Sequence, residues 1–192
     1  MLSSETRSRD FPSLAGRAYL NTAAEGIPPP AVGAALALYF TDKQLGMDGR
    51  KTHFAGHEAL KALVAGFYSL SPTEIGICSC SSEAYNLAAM ALRLRDGDEV
   101  VINDLDFPAG VTPWLQETRP ANVKVWKHRD GTLRSEGLIP LLTPRTRLVT
   151  VSLVSFFNGF MVNLPEVIAT MRKHSPALVA VDVTQALGQI GR

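Results

Sequence analysis

The sequence predicts an α/β fold, with a mostly parallel sheet sandwiched by helices. The first observation is a set of short apolar runs rich in Val and Ile, "DEVVIND", "RLVTVSLVS" and "ALVAVDV". Such runs are typical of strands that are buried on both faces. The second observation is that segments with helical spacing, roughly 10–15 residues long, separate the runs. Strands that alternate with helices in this way are joined by right-handed crossovers and lie parallel.

Two helices are predicted before the alternating region. "IPPPAVGAALALYF" places prolines just ahead of an apolar helical pattern, where a missing N–H costs least. "HFAGHEALKALVAGFYSL" repeats apolar residues at helical spacing, which predicts a second helix with one apolar face. The residues expected on that face are Leu60, Leu63, Val64 and Phe67.

The alternating region begins with a helix in "SSEAYNLAAMALRL", for which Ser81 or Ser82 is expected to be the N-cap. Its inward-facing residues are expected to be Ala84, Leu87, Ala88 and Ala91. The strand "DEVVIND" follows, and then a helix that begins near "FPAGVTPWLQE". "NVKVWKH" alternates like a strand with one exposed face.

A capped helix separates the last two buried strands. In "NLPEVIATMRKHSP", Asn163 is expected to be the N-cap and Glu166 occupies the third helical position. The side chains expected to face inward are Leu164, Val167, Ile168 and Met171. "ALVAVDV" then closes the series as a buried strand.

Composition limits the classes of function. The chain has 192 residues and a formal net charge of +1, so no large field attracts nucleic acid or an anionic membrane. No apolar run approaches the roughly 20 residues of a membrane-spanning helix. The N-terminus lacks the apolar stretch of a signal peptide, so a soluble cytoplasmic protein is expected.

Three segments fall at the carboxyl ends of predicted strands, where ligands bind in such sheets. Ser81 and Ser82 lie at a helix start, which suits a phosphate, although a simple N-cap is the alternative. "NDLDFPAG" offers the carboxylate of Asp106 and the ring of Phe107, which could instead be ordinary core.

Asp182 and Gln185 follow the last strand. A carboxylate at the end of an apolar strand needs a partner. A structural N-cap for the following turn is the alternative to a ligand-binding role. A phosphate cradle, a flat apolar face and a carboxylate together suit a phosphorylated aromatic cation.

The spacing of these segments resembles the class V aminotransferases, fold-type-I enzymes that depend on pyridoxal 5′-phosphate (PLP). The motifs that carry the resemblance are "YLNTAAEGIPPPAV", "SSEAYNLAAMAL", "GDEVVINDLDFPAGVTPW", "RLVTVSLVSFFNGFMVNLPEVI" and "VAVDVTQALGQIG". They run in the family's order from about Tyr19 to the end of the chain. The "SFFNGF" stretch is most similar to the isopenicillin-N-epimerase-like branch.

The resemblance implies a cofactor role for each of five residues. Asp182 would pair with the protonated pyridine nitrogen of PLP and keep the ring cationic. Gln185 would reach the 3′-oxygen, and Phe107 would stack on the ring. Ser81 and Ser82 would hold the phosphate.

The resemblance also implies a substrate, a partner and a division into domains. Asn21, Thr22 and Ala23 would lie near the substrate end of the pocket and contact an amino acid. A homodimer is expected, because fold-type-I sites form at a dimer interface. Residues 1–45 would form an N-terminal segment and helix, and residues 46–192 the incomplete PLP-binding large domain.

The chain departs from the family in lacking the lysine that holds PLP as an internal aldimine. That lysine would follow the DxxQ motif, whereas all six lysines here precede Asp182, namely Lys43, Lys51, Lys61, Lys124, Lys127 and Lys173. The small C-terminal domain is also missing. We therefore expect no catalytic residue here and a truncated large domain that is inactive alone. The alternative is a non-catalytic remnant that serves as a dimerisation or interaction module.

Local departures bear on the reaction. Cysteine desulfurases stack a histidine on the ring, and "LDFPAG" has none, which favours transamination, epimerisation or Cα–Cβ lysis over desulfuration. A fragment of a cysteine desulfurase stays as an alternative. Cys78 and Cys80 are expected to be small buried residues on one face of a strand.

No metal site is expected from the histidines. His53 and His57 are four apart, a spacing that can bind zinc on a helix, but the motif has no third ligand. A solvated or capping role is favoured for both.

Overall fold

The fold is described from a computed structural model, which covers residues 3–116, 121–188 and 190. The chain divides into two compact units, Met1–Ile77 and Cys78–Arg192. This division follows contacts between residues. The boundary expected at residue 45 concerns the domains of the family, and it stays a prediction.

The N-terminal unit is helical. It contains α1 (Ser4–Asp10), α2 (Pro30–Gln44) and α3 (Arg50–Tyr68), with 3₁₀ turns at Pro12–Leu14 and Pro72–Glu74. Both predicted helices are confirmed. Pro30 occupies the first helical position of α2, as the proline run indicated.

The apolar residues of α3 are largely exposed. Leu60, Leu63 and Phe67 are exposed, and Ala65 is the one buried residue of this helix. Helix α2 has no buried residue at all. Within this unit the two helices have only each other and short segments to pack against, so much of their apolar surface stays uncovered.

The C-terminal unit contains a parallel sheet, which confirms the α/β fold class. The strands are β1 (Glu99–Asn103), β2 (Asn122–Trp126), β3 (Thr146–Ser152) and β4 (Leu178–Asp182), in the order β2-β1-β3-β4. Every pair of neighbours is parallel. All four carboxyl ends therefore lie at the same edge of the sheet.

Helices cover both faces of this sheet. They are α4 (Ser81–Ala91), α5 (Pro108–Val111), α6 (Ser135–Leu138) and α7 (Leu164–His174), and a 3₁₀ turn at Thr112–Trp114 follows α5.

Two separate apolar clusters pack under these helices. One cluster includes Val101 of β1 together with Val167 and Met171 of α7, whereas the other includes Val100 of β1 and Tyr85 of α4. Consecutive residues of β1 thus belong to different clusters, as the alternation of side chains in a strand requires.

Asn163 is confirmed as the N-cap of α7. Its side-chain oxygen accepts a hydrogen bond from the N–H of Glu166 at 3.3 Å. Val167 and Met171 are buried as predicted, but Ile168 is 36% exposed and lies at the margin of that face.

The cap and the buried face of α4 differ from prediction. Cys80, with extended backbone angles, is the N-cap, and Ser81 and Ser82 already belong to the helix. The buried residues are Tyr85 and Ala89, one position away from the face expected around Ala84, Leu87, Ala88 and Ala91. The rotation follows from size, because the tyrosine ring has more apolar surface to bury than any alanine.

Strand β4 is less buried than predicted. Leu178 is 57% exposed, and the rest of the strand is half-buried. The cause is its position at the edge of the described sheet, where only β3 pairs with it. Among the described helices, none is both long and apolar enough to cross a membrane.

Candidate functional site

The carboxylate of Asp182 lies at the carboxyl end of β4. Its Oδ1 accepts a hydrogen bond from the N–H of Thr184 at 2.8 Å. Asp182 therefore does cap the following turn, as one reading of the sequence proposed. The bond occupies a single oxygen, so the second oxygen can still accept a bond from a ligand.

A cavity of about 650 Å³ lies between α4 and the end of β4. Ser81 and Asp182, two of the predicted site residues, both line it. Its other walls are largely small or apolar and include Ala84, Ala88 and Ala180. The volume falls in the range of ligand pockets, roughly 300–1,000 Å³. No lysine is among the residues found to line this cavity in the described part of the chain.

The remaining predicted cofactor residues are not among those that line this cavity. Ser82 is the second residue of α4 and is exposed. Phe107, half exposed, makes an edge-to-face contact with Phe156, the two ring centroids being 5.0 Å apart. Its exposure removes the alternative that Phe107 is ordinary core. Gln185 lies in the turn that follows β4.

The predicted substrate residues belong to the N-terminal unit. Asn21, Thr22 and Ala23 are exposed, and the carbonyl of Asn21 accepts hydrogen bonds from the N–H groups of Ala24 and Glu25. These residues thus form a local turn. Their role at the substrate end of a pocket stays a prediction.

Tyr85 is a member of the cavity wall that sequence reasoning missed. Its side chain is largely buried in the apolar cluster under α4. Burial, together with the charges of Asp182 and Asp106, raises the pKa of Tyr85, so the phenol keeps its proton. The available signal was the one aromatic residue in a helix otherwise rich in alanine.

Asp106 approaches the same region from the loop after β1. Its Oδ1 accepts a hydrogen bond from the backbone N–H of Ser152 at 2.7 Å. Burial is the main cause that raises the pKa of Asp106, and the charge of Asp182 adds to it. The charge of Asp182 therefore acts on both Tyr85 and Asp106 at this edge of the sheet.

Comparison with known proteins identifies the family. Residues 18–191 match the model of the aminotransferase class-V family. This chain belongs to that family. Relatives include a probable cysteine desulfurase of Methanothermobacter thermautotrophicus, 32% identical over 95% of this chain and 47% of its own length. A cysteine desulfurase of Salmonella gallinarum is 37% identical over 61% of this chain and 30% of its own length.

Solved structures share the fold of this class-V chain. A mutant of C-DES, with glycine covalently linked to the PLP cofactor, superposes with a TM-score of 0.85 at 24% identity, over 95% of this chain and 51% of that one. An apo cysteine desulfurase of Thermococcus onnurineus gives a TM-score of 0.79 at 22% identity, over 94% and 47%. The class-V chain thus spans about half the length of the relatives it matches.

The cysteines of this class-V chain are not buried, which corrects the sequence prediction. Both Cys78 and Cys80 are exposed free thiols. The reason is local: Cys78 lies in an irregular segment and residues 79–80 form a bend before α4, so neither thiol belongs to a strand. The N–H of Glu83 is the main cause that lowers the pKa of the Cys80 thiol. Glu83 itself accepts hydrogen bonds from the N–H and hydroxyl of Ser79 at 2.6 and 2.7 Å, which lower its pKa.

The histidines of α3 have local contacts. His57 Nδ1 lies 3.1 Å from Glu58 Oε1, and the ring of His53 packs against Tyr39 with centroids 4.6 Å apart. Among the described residues, no group of three or more His, Cys, Asp or Glu could hold a metal ion.

Proposed function

We propose that this class-V chain is the PLP-binding part of an enzyme that acts at the α-carbon of an amino acid. One observation carries the proposal: Ser81, at the start of an 11-residue helix, and Asp182, at the end of a strand, line the same cavity. A helix start favours an anion, and a carboxylate favours a cation. A ligand with a phosphate at one end and a protonated ring nitrogen at the other fits both.

The residues present fit the cofactor. Asp182 has one oxygen committed to Thr184, and the other is available to hold a pyridinium by a charge-assisted hydrogen bond. The N-cap residue of α4 is Cys80, which has no side-chain oxygen to accept from the helix. The start of this helix, with the hydroxyls of Ser81 and Ser82, is therefore suited to a phosphate.

Two further residues complete the proposed site. Phe107 would stack on the ring, for which its half-exposed face is suited, and Gln185 would bind the 3′-oxygen. When bound, PLP supplies an electron sink for the charge that develops at the substrate's α-carbon. Asn21, Thr22 and Ala23 are proposed to contact the amino-acid substrate.

The reaction is proposed as transamination, epimerisation or lysis. The relatives are named cysteine desulfurases, and a solved complex of C-DES, named a cystine C–S lyase, holds cysteine persulfide. A cysteine desulfurase fragment is therefore the second candidate. Because no lysine lines the described cavity, we propose that the chain alone does not complete a turnover.

A homodimer in the cytoplasm is proposed as the working state. Helix α2 carries exposed apolar side chains all round, among them Leu36, Leu38 and Phe40, and a helix of that kind is normally covered. A second copy of the chain would cover it. The free thiols of Cys78 and Cys80 agree with a reducing compartment.

A titration with PLP tests the cofactor proposal. Asp182→Asn keeps an oxygen for the N–H of Thr184 and removes the charge, whereas Asp182→Ala removes both. We expect both variants to lose PLP affinity by roughly ten- to a hundredfold, the scale of a hydrogen bond to a charged group. Absorbance of bound PLP gives the dissociation constants. Equal affinity in wild type and Asp182→Asn would contradict the pairing of Asp182 with the ring.

A further inference from the structure

The carboxyl group of Asp106 and that of Asp182 flank the end of the same strand. Asp106 Oδ1 accepts the N–H of Ser152, the last residue of β3, and Ser152 is paired in register with Asp182 of β4. The carbonyl of Asp182 in turn accepts the N–H of Leu153 at 2.8 Å. The end of β3 is thus held by Asp106 on one side and by Asp182 on the other.

One oxygen of Asp106 has no hydrogen-bond partner. Its Oδ2 is buried, and no described donor bonds to it. An ionised oxygen in that position would lose its water without compensation, and burial of an unpaired charge is costly. A proton on the carboxyl group removes the charge and with it most of that cost.

Among the described residues, the groups that act on the carboxyl of Asp106 include no positive charge. Helix α4 contributes the phenol of Tyr85, and β4 contributes the carboxylate of Asp182. The donors of Ser152 and Asn103 favour the ionised form, but burial and the neighbouring carboxylate outweigh them. The described surroundings of Asp106 therefore favour the neutral acid.

We propose that Asp106 keeps its carboxyl proton over a pH range in which an ordinary aspartate is ionised, because one of its oxygens is buried without a partner. Asp106 is then a positioning residue that holds the end of β3 beside Asp182. At higher pH its ionisation adds a second negative charge to the same edge of the sheet. The consequence for the cofactor rests on the proposed function, whereas the protonation itself does not.

The sign of the effect on stability follows from linkage. The folded protein keeps the proton of Asp106 to a higher pH than the unfolded chain, in which an aspartate has a pKa of about 3.9. The contribution of this group to stability is complete below that value and is lost as the pH rises through the raised pKa. The amide of Asp106→Asn cannot ionise, so this variant does not lose that contribution to stability as the pH rises.

Urea unfolding of wild type and Asp106→Asn at a series of pH values tests the protonation. Both tryptophans, Trp114 and Trp126, are buried in the same unit as Asp106 and report its unfolding by fluorescence. We expect the urea midpoint of Asp106→Asn to rise relative to that of wild type as the pH increases from about 4 to about 8. A difference that stays constant, or that falls, overturns the proposal.

Two further variants separate charge from packing. Asp130→Asn makes the same change at a side chain that is 94% exposed, and we expect no rise of its midpoint relative to wild type. Asp106→Ala removes the acceptor for the N–H of Ser152, and we expect a lower midpoint than that of Asp106→Asn at every pH. If the urea midpoints of Asp106→Ala and Asp106→Asn are equal, Asp106 does not position β3.

PLP binding tests the link to the cofactor. As Asp106 ionises in wild type, the added negative charge favours the ring cation. We therefore expect the dissociation constant of Asp106→Asn, divided by that of wild type, to rise severalfold with pH. A constant ratio overturns the link to the cofactor. If neither wild type nor any variant binds PLP, the proposed function is overturned. The unfolding data still decide whether Asp106 is protonated.

Discussion

At the scale of single residues, the thiol of Cys80 is the most reactive group that the structure indicates. It lies at the N-cap of α4, and the N–H of Glu83 lowers its pKa. The thiolate is the nucleophilic form, so a lower pKa means faster alkylation near neutral pH. We expect Cys80 to react with iodoacetamide faster than Cys78, the other exposed thiol.

Single-cysteine variants make this measurement specific. Cys78→Ser leaves Cys80 as the one thiol, and Cys80→Ser leaves Cys78. Mass spectrometry of the modified chain over time gives the two rates. If PLP binds at the start of α4, it should also slow alkylation of Cys80. A rate for Cys80 no higher than that for Cys78 would contradict the pKa shift.

The residue scale also shows what the sequence could and could not predict. Asp182, Ser81 and Phe107 could be chosen because each follows a strand or begins a helix, and the structure places two of them in one cavity. The sequence could not identify Cys80 as the N-cap. Helix boundaries inferred from sequence are uncertain by a residue or two, and several polar residues lie next to one another here. Tyr85 was missed because its burial near the charges of Asp182 and Asp106 depends on tertiary packing.

At the scale of elements, α7 is held by a capping network. Asn163 accepts the N–H of Glu166 and donates through Nδ2 to Glu166 Oε2 at 3.0 Å. Glu166 Oε1 also accepts the hydroxyl of Ser135, at the start of α6, at 2.7 Å. The cap thus satisfies the start of α7 and also connects it to the start of α6.

Replacement of Asn163 should therefore weaken this part of the unit. We expect Asn163→Ala to lower the free energy of unfolding by about 1 kcal/mol, the usual loss on removal of an N-cap. Asn163→Ser keeps an oxygen acceptor for the N–H of Glu166, adds no charge beside the Glu166 carboxylate, and is the matched control for the cap. Chemical denaturation followed by tryptophan fluorescence gives the difference. A loss that is equal in both variants would show that the cap itself does not stabilise α7.

Elements were predicted well where composition alone decides them. The four strands follow from runs of β-branched residues, and α7 follows from its cap and its apolar spacing. The partial exposure of β4 and the exposure of the apolar residues of α3 were not predicted, because burial depends on what other elements cover a surface. Spacing indicates that a face is apolar, but it does not indicate what covers that face.

At the scale of the whole molecule, the chain combines a sheet that carries the proposed cofactor site with a helical unit rich in exposed apolar side chains. Leu63 of α3 is 64% exposed and Phe40 of α2 is 64% exposed. Exposed apolar surface of this extent marks an interface in a folded protein. A second copy of the chain is the partner that the family resemblance implies.

The dimer can be tested with substitutions that leave the core intact. We expect wild type to sediment as a dimer, and Leu63→Glu to weaken the dimer, because a buried unpaired carboxylate costs several kcal/mol. Lys51→Glu, also on α3, changes the charge without loss of apolar surface, and it should leave the dimer intact. Sedimentation equilibrium over a range of protein concentrations gives the association constants. A monomeric wild type would contradict the dimer, and a Leu63→Glu variant as tightly associated as Lys51→Glu would place the interface elsewhere.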